Sequence, residues 1–505
     1  MSYNETMINA HPQWKQHIDR WKFLVDSYQG GYEYKQGQYL TAYMFENKET
    51  YEQRLDNAPL DNHVKAVTAI YNSFLFRQPP VRDFGSISND ITLDPFFDDT
   101  DLDGRNFNSV MRDISTYSTI YGNCWVIVDK PETVSYTRAQ ELNQGVRPYL
   151  SIYTPENVID WQYKRASNGA YYLAYLKVYE GSDAQGDTFR IYTPDTIQIV
   201  AMKEKDTTVI DEKINPLGVV PAVCVYSQRS PTRGIGISDV GDVADMQRAI
   251  YNELNEMYQL ITLTNHPSLV KTAQTRASAG AGSIVQMPDD MNGDLKPFLL
   301  EPKGSGIEGL INSINLKVGA IDRMAHMGGI RSIETRRLSG VALATEFQLL
   351  NARLAEKADN LEHAEEQIWR IYAMWQGNSW NGSIEYPDSF NIQDKYNDMN
   401  MLKLAKDAKP MGTTINRVIE EKMLRILSND DEEFEMLKAE MDAEKTQPQA
   451  AEEVMEHPIT TPENRTQHIK EMVMEGLTDQ QILDLHPEIS QSDIDLAKQE
   501  LVTDE

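Results

Sequence analysis

From Ser238 to Gln376 the chain carries two amphipathic segments, a strand-rich insertion between them, and a glycine-bracketed basic loop that feeds one long helix. No other feature restricts the fold as tightly. Behind Ser238, a helix-capping residue type, Val240, Val243, Met246, Ile250, Leu254, Met257 and Ile261 recur every three or four positions. That helix should stop at Asn265-His266-Pro267. Three short strand candidates follow: SLVKTAQT, GSIVQMPD and DLKPFLLEP. Ser305 and Glu308 then have capping-box spacing ahead of Ile307, Leu310, Ile311, Ile314, Val318 and Ile321. In the loop MGGIRSIETRRLSG, glycines flank Arg331, Arg336 and Arg337, with Glu334 as the sole acid. From Ser339 to about Gln376 the apolar repeat runs through Phe347, Leu350, Leu354, Ala358, Leu361, Ala364, Ile368, Ile371 and Trp375. At roughly 1.5 Å per residue such a helix exceeds about 50 Å. Its narrow stripe predicts packing against one or two neighbours rather than burial all round.

The flanking regions differ from this centre. Residues before 230 predict a mixed α/β region, with helices over His11–Tyr28, Leu60–Phe76 and Phe107–Tyr121, the last ending at a Gly122 C-cap. The runs CWVIVDK, YLSIYTPENVIDWQY, YYLAYLKVYEG, TFRIYTPDTIQIVAM and VVPAVCVYS alternate β-branched and aromatic residues between turn formers, as strands do. After a strand candidate, SIEYPDSF, helices are predicted at about 393–407 and 413–442. A proline-punctuated linker and three short helices complete the chain. No repeat of solenoid period is visible.

Charge and cysteine content narrow the chemistry. Of a net charge of −29, the residues beyond Met411 hold 24 acids against 8 bases, a surplus of 16. An acidic chain is not an ordinary nucleic-acid binder, because phosphate neutralisation needs a basic footprint. It suits a surface past which a polyanion slides without gripping; acidity that only supports solubility is the other reading. Cys124 and Cys224 sit in strand-like runs and read as buried reduced thiols. No stretch is apolar enough for a membrane span, and MSYNETMINAHPQW lacks the basic and apolar regions of a secretory signal.

Catalytic and ligand motifs are missing. RGIGISDVGD follows a strand and opens a helix, yet it has neither G-x-G-x-x-G nor a Walker lysine, and reads as a flexible joint. The histidines lack zinc spacing. Asp94, Asp98, Asp99, Asp101 and Asp103 form an acidic run without EF-hand order, expected as a solvated loop. No nucleophile motif appears, so neither an enzyme nor a cofactor or metal site is expected. The arginine loop has two readings: a connector whose arginines pair with carboxylates, or a loop presenting positive charge to a polyanion. Phosphate contacts of the latter kind carry no sequence information.

Three phrases carry a resemblance: GGYEYKQGQYLTAY with TYEQRLDNAPLDNHVKAVTAIYNSFLFRQPPV, then TIYGNCWVIVDKP, then SPTRGIGISDVGDVADMQRAIYNELNEM. Together with the order of elements over about residues 10–440, they resemble the portal (head-to-tail connector) proteins of tailed bacteriophages. The resemblance implies a mixed α+β, helix-rich portal fold. Residues 1–237, completed by 377–392, would form its wing; 238–264 and 305–327 its stem helices; 265–304 its clip. Residues 328–340 would be the tunnel loop, 341–376 the long helix, 393–445 the crown, 446–462 a linker and 463–505 an added helical module.

The resemblance also implies a function: a homo-oligomeric ring, a dodecamer, at one capsid vertex of the virion, made in the host cytoplasm and without membrane contact. Double-stranded DNA would pass through it independently of sequence during packaging and ejection. The terminase large subunit and later head-completion adaptors would dock on the clip, with Lys271, Arg276 and Lys296 as contact residues. Arg331, Arg336 and Arg337 would face the DNA, and the major capsid protein and a scaffolding protein would be further partners. The acidic surplus fits a lumen that limits DNA adhesion. Two other readings stay open: a phage head–tail connector or baseplate protein without a translocation role, and an acidic cytosolic enzyme with an unrecognised site.

Overall fold

The computed structural model describes residues 10–131, 140–141, 144–183, 186–203, 206–265, 268–270, 298–300, 305–327, 340–387, 390, 402–406, 413–428, 431–446, 466, 469–470, 472–473, 477–486 and 489–503. It is a mixed α/β protein that divides into two compact units, residues 1–391 and 392–505.

The first unit opens with α1 (Pro12–Gln29), α2 (Gly31–Gln36), α3 (Lys48–Asn57) and α4 (His63–Leu75). Side chains set several of these starts. His11 accepts from the Gln13 amide, Asn47 from Thr50 and Asn62 from Lys65, each satisfying an orphan N–H of a first turn. Asn62 therefore starts α4 at His63, three residues later than the apolar repeat predicts. Gly30, at positive φ, ends α1 as its C-cap, and the chain re-enters a helix at Gly31. After β1 (Val81–Asp83) and α5 (Leu93–Asp98), α6 (Phe107–Tyr121) ends on Gly122, whose φ of 92° places it in the left-handed region.

Two sheets follow. In the first, β2 (Asn123–Asp129) is central and buried throughout, with β3 (Tyr149–Tyr153) and β9 (Ala222–Tyr226) antiparallel on either side. The second is an antiparallel meander of β4 (Val158–Arg165), β5 (Tyr171–Asp183), β6 (Gly186–Tyr192), β7 (Thr196–Lys203) and β8 (Asp206–Ile214). β8 was not anticipated: it is an edge strand exposed along nearly its whole length, so no buried face imprints alternation on its sequence. A short hairpin, β10 (Gln228–Arg229) with β11 (Gly236–Ile237), leads into α7 (Gly241–Asn265). The pair β12 (Ser268–Val270) and β13 (Phe298–Leu300), α8 (Ser305–Met324), α9 (Gly340–Trp375) and β14 (Ser383–Glu385) complete this unit, with β14 pairing back onto β1.

The helix α9 departs from the expected narrow stripe. Leu350, Leu354, Ala358, Leu361, Ala364 and Ile368 are buried as anticipated, but so are Lys357, Glu365, Trp369, Tyr372 and Ala373. Its C-terminal half packs into the core on a face wider than the stripe, while Asp359, His363, Gln367 and Arg370 keep the opposite side exposed. Trp369 lies 4.9 to 6.1 Å, centroid to centroid, from Phe84, Phe96, Phe97, Phe107 and Tyr372. The buried Glu365 receives hydrogen bonds from Arg82 at 2.5 Å, the Tyr386 hydroxyl at 2.7 Å and the Trp369 indole at 3.2 Å. That network ties α9 to the β1–β14 pair.

In the second unit α10 (Thr413–Leu427) and α11 (Asp431–Thr446) replace the single helix expected over 413–442. Ser428 ends α10, its hydroxyl donating to the Arg425 carbonyl at 3.1 Å, the local competition that makes serine a poor helix interior. Further on, α12 (Asp479–Leu485) and α13 (Gln491–Thr503) share a small core of Ile469, Met472, Ile482, Ile489, Ile494 and Ala497.

Candidate functional site

The hairpin of α7 and α8 is the centre of the segment singled out by sequence, and its root is fastened by buried polar side chains. Asp239, just before α7, accepts from Lys357 Nζ at 2.9 Å and from Arg353 Nη2 at 2.7 Å, both on α9. Lys357 also donates to Ser227 Oγ at 2.7 Å, and the Ser227 hydroxyl bonds Asp239. Lys357 and Asp239 are only 5% and 3% exposed. Charges this dry persist only when paired and fully hydrogen-bonded. Ser238, expected as the N-cap of α7, lies two residues too early. The Val240 carbonyl accepts the first helical bond, while Ser238 Oγ donates to Thr119 and accepts from the Val240 amide.

Backbone contact reinforces this root. Gly122 and Gly236 approach so closely that a Cβ on Gly236 would sit 2.0 Å from the Gly122 carbonyl oxygen. The Gly236 amide donates to Asn123 Oδ1 at 3.0 Å, and the Ser227 amide to the Gly122 carbonyl at 2.8 Å. Two of the phrases singled out in the sequence, TIYGNCW and SPTRGIGIS, thus meet face to face.

Further along α7 the anchors continue. Gln247 is fully buried, accepting from the Val64 amide at 2.9 Å and donating to the Ser27 carbonyl at 3.0 Å. Asn255 accepts from Arg54 at 2.6 Å; Arg54 in turn forms a two-pronged ion pair with Glu46 at 2.6 and 2.7 Å. Beyond Asn255 the character changes. Tyr258 and Ile261 on α7 and Ile311 on α8 are exposed, and nearer the middle of α8 so is Leu316, at 74%. Between the two helices Lys317 donates to Glu253 at 2.6 Å. At the other end of α8, Ile321, Ala325 and Met327 are buried, and the Tyr71 hydroxyl donates to the Ala325 carbonyl at 3.0 Å. The result is a rigid root carrying a distal half whose apolar side chains lack cover within the described residues.

The basic residues expected to act lie outside the described residues: Arg331, Arg336 and Arg337 of the expected tunnel loop, and Lys271, Arg276 and Lys296 of the expected clip. Their flanks are described. β12 and β13 pair antiparallel, bringing Val270 opposite Phe298, and the arginine segment is bounded by the buried Met327 and by Gly340 at the start of α9. The strand candidate GSIVQMPD also falls outside. The acidic run is not one solvated loop: Asp94 and Asp98 lie on α5, and the rest form an ion-paired turn in which Asp101 accepts from Arg105 and Asp99 from Arg147 at 2.8 Å. Among the described residues no group of His, Cys, Asp and Glu could hold a metal, and no helix is long and apolar enough to cross a membrane. Both cysteines are free, and burial pushes both thiols up, Cys224 to about 12, which suppresses thiolate chemistry.

Sequence reasoning missed the anchors themselves. Lys357 and Glu365 stand among other polar residues of α9, Glu356 and Asp359 beside the one and His363 and Glu366 beside the other, so nothing local marks them as buried, and their partners, Asp239 and Arg82, are far away in sequence.

A family model described as phage portal protein, SPP1 Gp6-like, matches residues 9–447. Among solved structures, the chain is similar to one from the neck of an empty GTA particle computed with C6 symmetry. The identity is 9% and the TM-score 0.42, over 75% of this chain and 95% of that one. A second comes from the virion of a native gene transfer agent (GTA) particle, at 9% identity and a TM-score of 0.40, over 77% and 95%. A third, from the neck of a native GTA particle computed with C12 symmetry, gives 10% and 0.40, over 70% and 88%. No curated protein matches the sequence.

Proposed function

The chain belongs to the phage portal protein family, SPP1 Gp6-like, and from that premise we propose that it assembles into a ring, a dodecamer, at one vertex of a phage capsid. Double-stranded DNA passes along the axis of this ring during packaging and ejection. The observation that carries the reading is the α7–α8 hairpin. Its root is clamped by Asp239, Lys357 and Arg353 and its middle by Asn255, while Tyr258, Ile261 and Ile311 stay uncovered on its distal half and Leu316 near its middle. Exposed apolar side chains on a rigid stalk are the surface that neighbouring copies in a cyclic assembly cover.

In this reading α7 and α8 are the stem, residues 265–304 the clip, 328–340 the tunnel loop and 393–445 the crown. Residues 1–237 with 377–392 form the wing, and 463–505 an added module. The terminase large subunit, and afterwards a head-completion adaptor, dock at the clip through Lys271, Arg276 and Lys296; the major capsid protein and a scaffold contact the ring elsewhere. The protein supplies no catalysis. Arg331, Arg336 and Arg337, repeated around the ring, touch phosphates without reading bases. Replacing all three by Gln should leave rings intact in electron micrographs while lowering the DNA packaged or retained per particle. Loss of the rings themselves would make this loop a subunit contact and overturn its assignment to the tunnel.

A further inference from the structure

One cleft in the first unit has a chemistry that its surroundings do not share. About 600 Å³ in volume, it opens between β9, an edge strand, and the β4–β5 turn region, roofed by the β10–β11 hairpin. Tyr163, Tyr171, Tyr172, Tyr226, Arg229 and Arg233 line it, and among the described residues no carboxylate does. The chain as a whole carries −29, and most described arginines pair with acids: Arg20 with Asp245, Arg54 with Glu46, Arg82 with Glu365, Arg190 with Glu180. Arg165, Arg229 and Arg233 have no carboxylate partner among the described residues. They lie instead over tyrosine rings. Arg233 is 3.6 Å and Arg165 4.9 Å from the Tyr171 centroid, and Arg229 is 5.5 Å from that of Tyr226.

The hairpin bearing two of these arginines is held in shape before any ligand arrives. Trp161 Nε1 donates to the Arg233 carbonyl at 3.0 Å, the Gly234 amide to the Tyr226 hydroxyl at 2.8 Å, and Ser230 Oγ to the Ile235 carbonyl at 2.8 Å. Gly234 is required there: its φ is +83°, and a Cβ would lie 2.2 Å from the Trp161 indole nitrogen. Preorganised donors lose little freedom on binding.

A guanidinium stacked on a ring keeps its N–H edge free, the geometry that receives a carboxylate fork. The same stacking occupies the Tyr171 face that a nucleobase would need. A duplex needs a broad basic footprint, which so acidic a chain does not offer around a cleft of this size. The geometry points to a docking site for an extended acidic segment of another polypeptide. Its Asp and Glu carboxylates pair with Arg165, Arg229 and Arg233, and an apolar side chain between them rests on the half-exposed Tyr172 and on Leu173. The cleft lies within one chain, so this binding does not depend on ring formation.

The test uses the full-length protein and a fluorescein-labelled (Glu-Glu-Leu)4 peptide, with (Gln-Gln-Leu)4 as control, read by fluorescence anisotropy. Saturable binding of one acidic peptide per chain is expected, weakened by added salt. The double variant R229Q/R233Q should bind about tenfold more weakly, each exposed charge pair being worth a factor of a few. If the double variant fails to fold by tryptophan fluorescence, R165Q alone carries the comparison. The proposal is overturned by absent or non-saturable binding, or by unchanged affinity in the folded variants. It is equally overturned if duplex DNA or inorganic phosphate displaces the peptide at matching concentration.

Discussion

Replacing Asp239 by Asn tests the clamp beneath the α7–α8 hairpin. The substitution keeps shape but removes the negative charge shared by Lys357 and Arg353. Lys357 is 5% exposed and, among the described residues, donates only to the Ser227 hydroxyl besides Asp239. Stranding one member of a buried ion pair costs about 3–5 kcal/mol. Arg353 is 26% exposed and still reaches Glu356 at 3.3 Å, so the loss should fall at the lower end, about 3 kcal/mol. Lys357→Met alone leaves Asp239 with Arg353 and Ser227 and should cost less, about 1–2 kcal/mol. The double variant D239N/K357M removes both buried charges and should be more stable than D239N alone, with a coupling of about 2 kcal/mol or more. All seven tryptophans lie between residues 14 and 380, so urea unfolding followed by tryptophan fluorescence reports the first unit without the second. Strict additivity of the two single losses would refute the clamp as a coupled ion network.

Three further outcomes are expected. Glu365→Gln should cost about 3–5 kcal/mol in the same urea assay, because it leaves the 8%-exposed Arg82 without its carboxylate; a loss under about 1 kcal/mol would contradict the spine role of α9. Gly122→Ala should lose about 2 kcal/mol or more, from a φ of 92° and a Cβ 2.6 Å from the Gly236 backbone. Gly145→Ala, with positive φ but open space, should lose less, and equal losses would remove the close approach from the explanation. Burial raises the Glu156 carboxyl above its usual range. Its contribution to stability is therefore present below the unfolded carboxylate value, about 4.3, and lost as pH rises through the raised folded value. Glu156→Gln, which still accepts from Tyr121, should gain in melting temperature over the parent as pH goes from 4 to 7, and a pH-independent gap would contradict this.

Much of the first unit is legible in the sequence because its elements obey a single period. Phe107–Tyr121 and Gly122 agree with the structure to the residue, since an apolar stripe, an asparagine cap and a left-handed glycine all act locally. The strand β8 is invisible for the opposite reason: DTTVIDEKI buries almost nothing, and its pairing with β7 comes from the neighbouring backbone. For α9 the apolar stripe is legible, but the aromatic shell around Trp369 widens the buried face beyond it while Asp359, His363, Gln367 and Arg370 stay exposed. The arginine cluster stood out because it is local. The root clamp did not, because Asp239 and Lys357 are 118 residues apart and neither is unusual by itself.

Mass photometry combined with electron microscopy of the purified full-length chain measures the central claim most directly. The account predicts ring-shaped particles of about 0.7 MDa, twelve times the 57.6 kDa chain, with an axial opening that admits a DNA duplex. Compact monomers or small dimers under all assembly conditions, or closed rings with no opening along the axis, would contradict it.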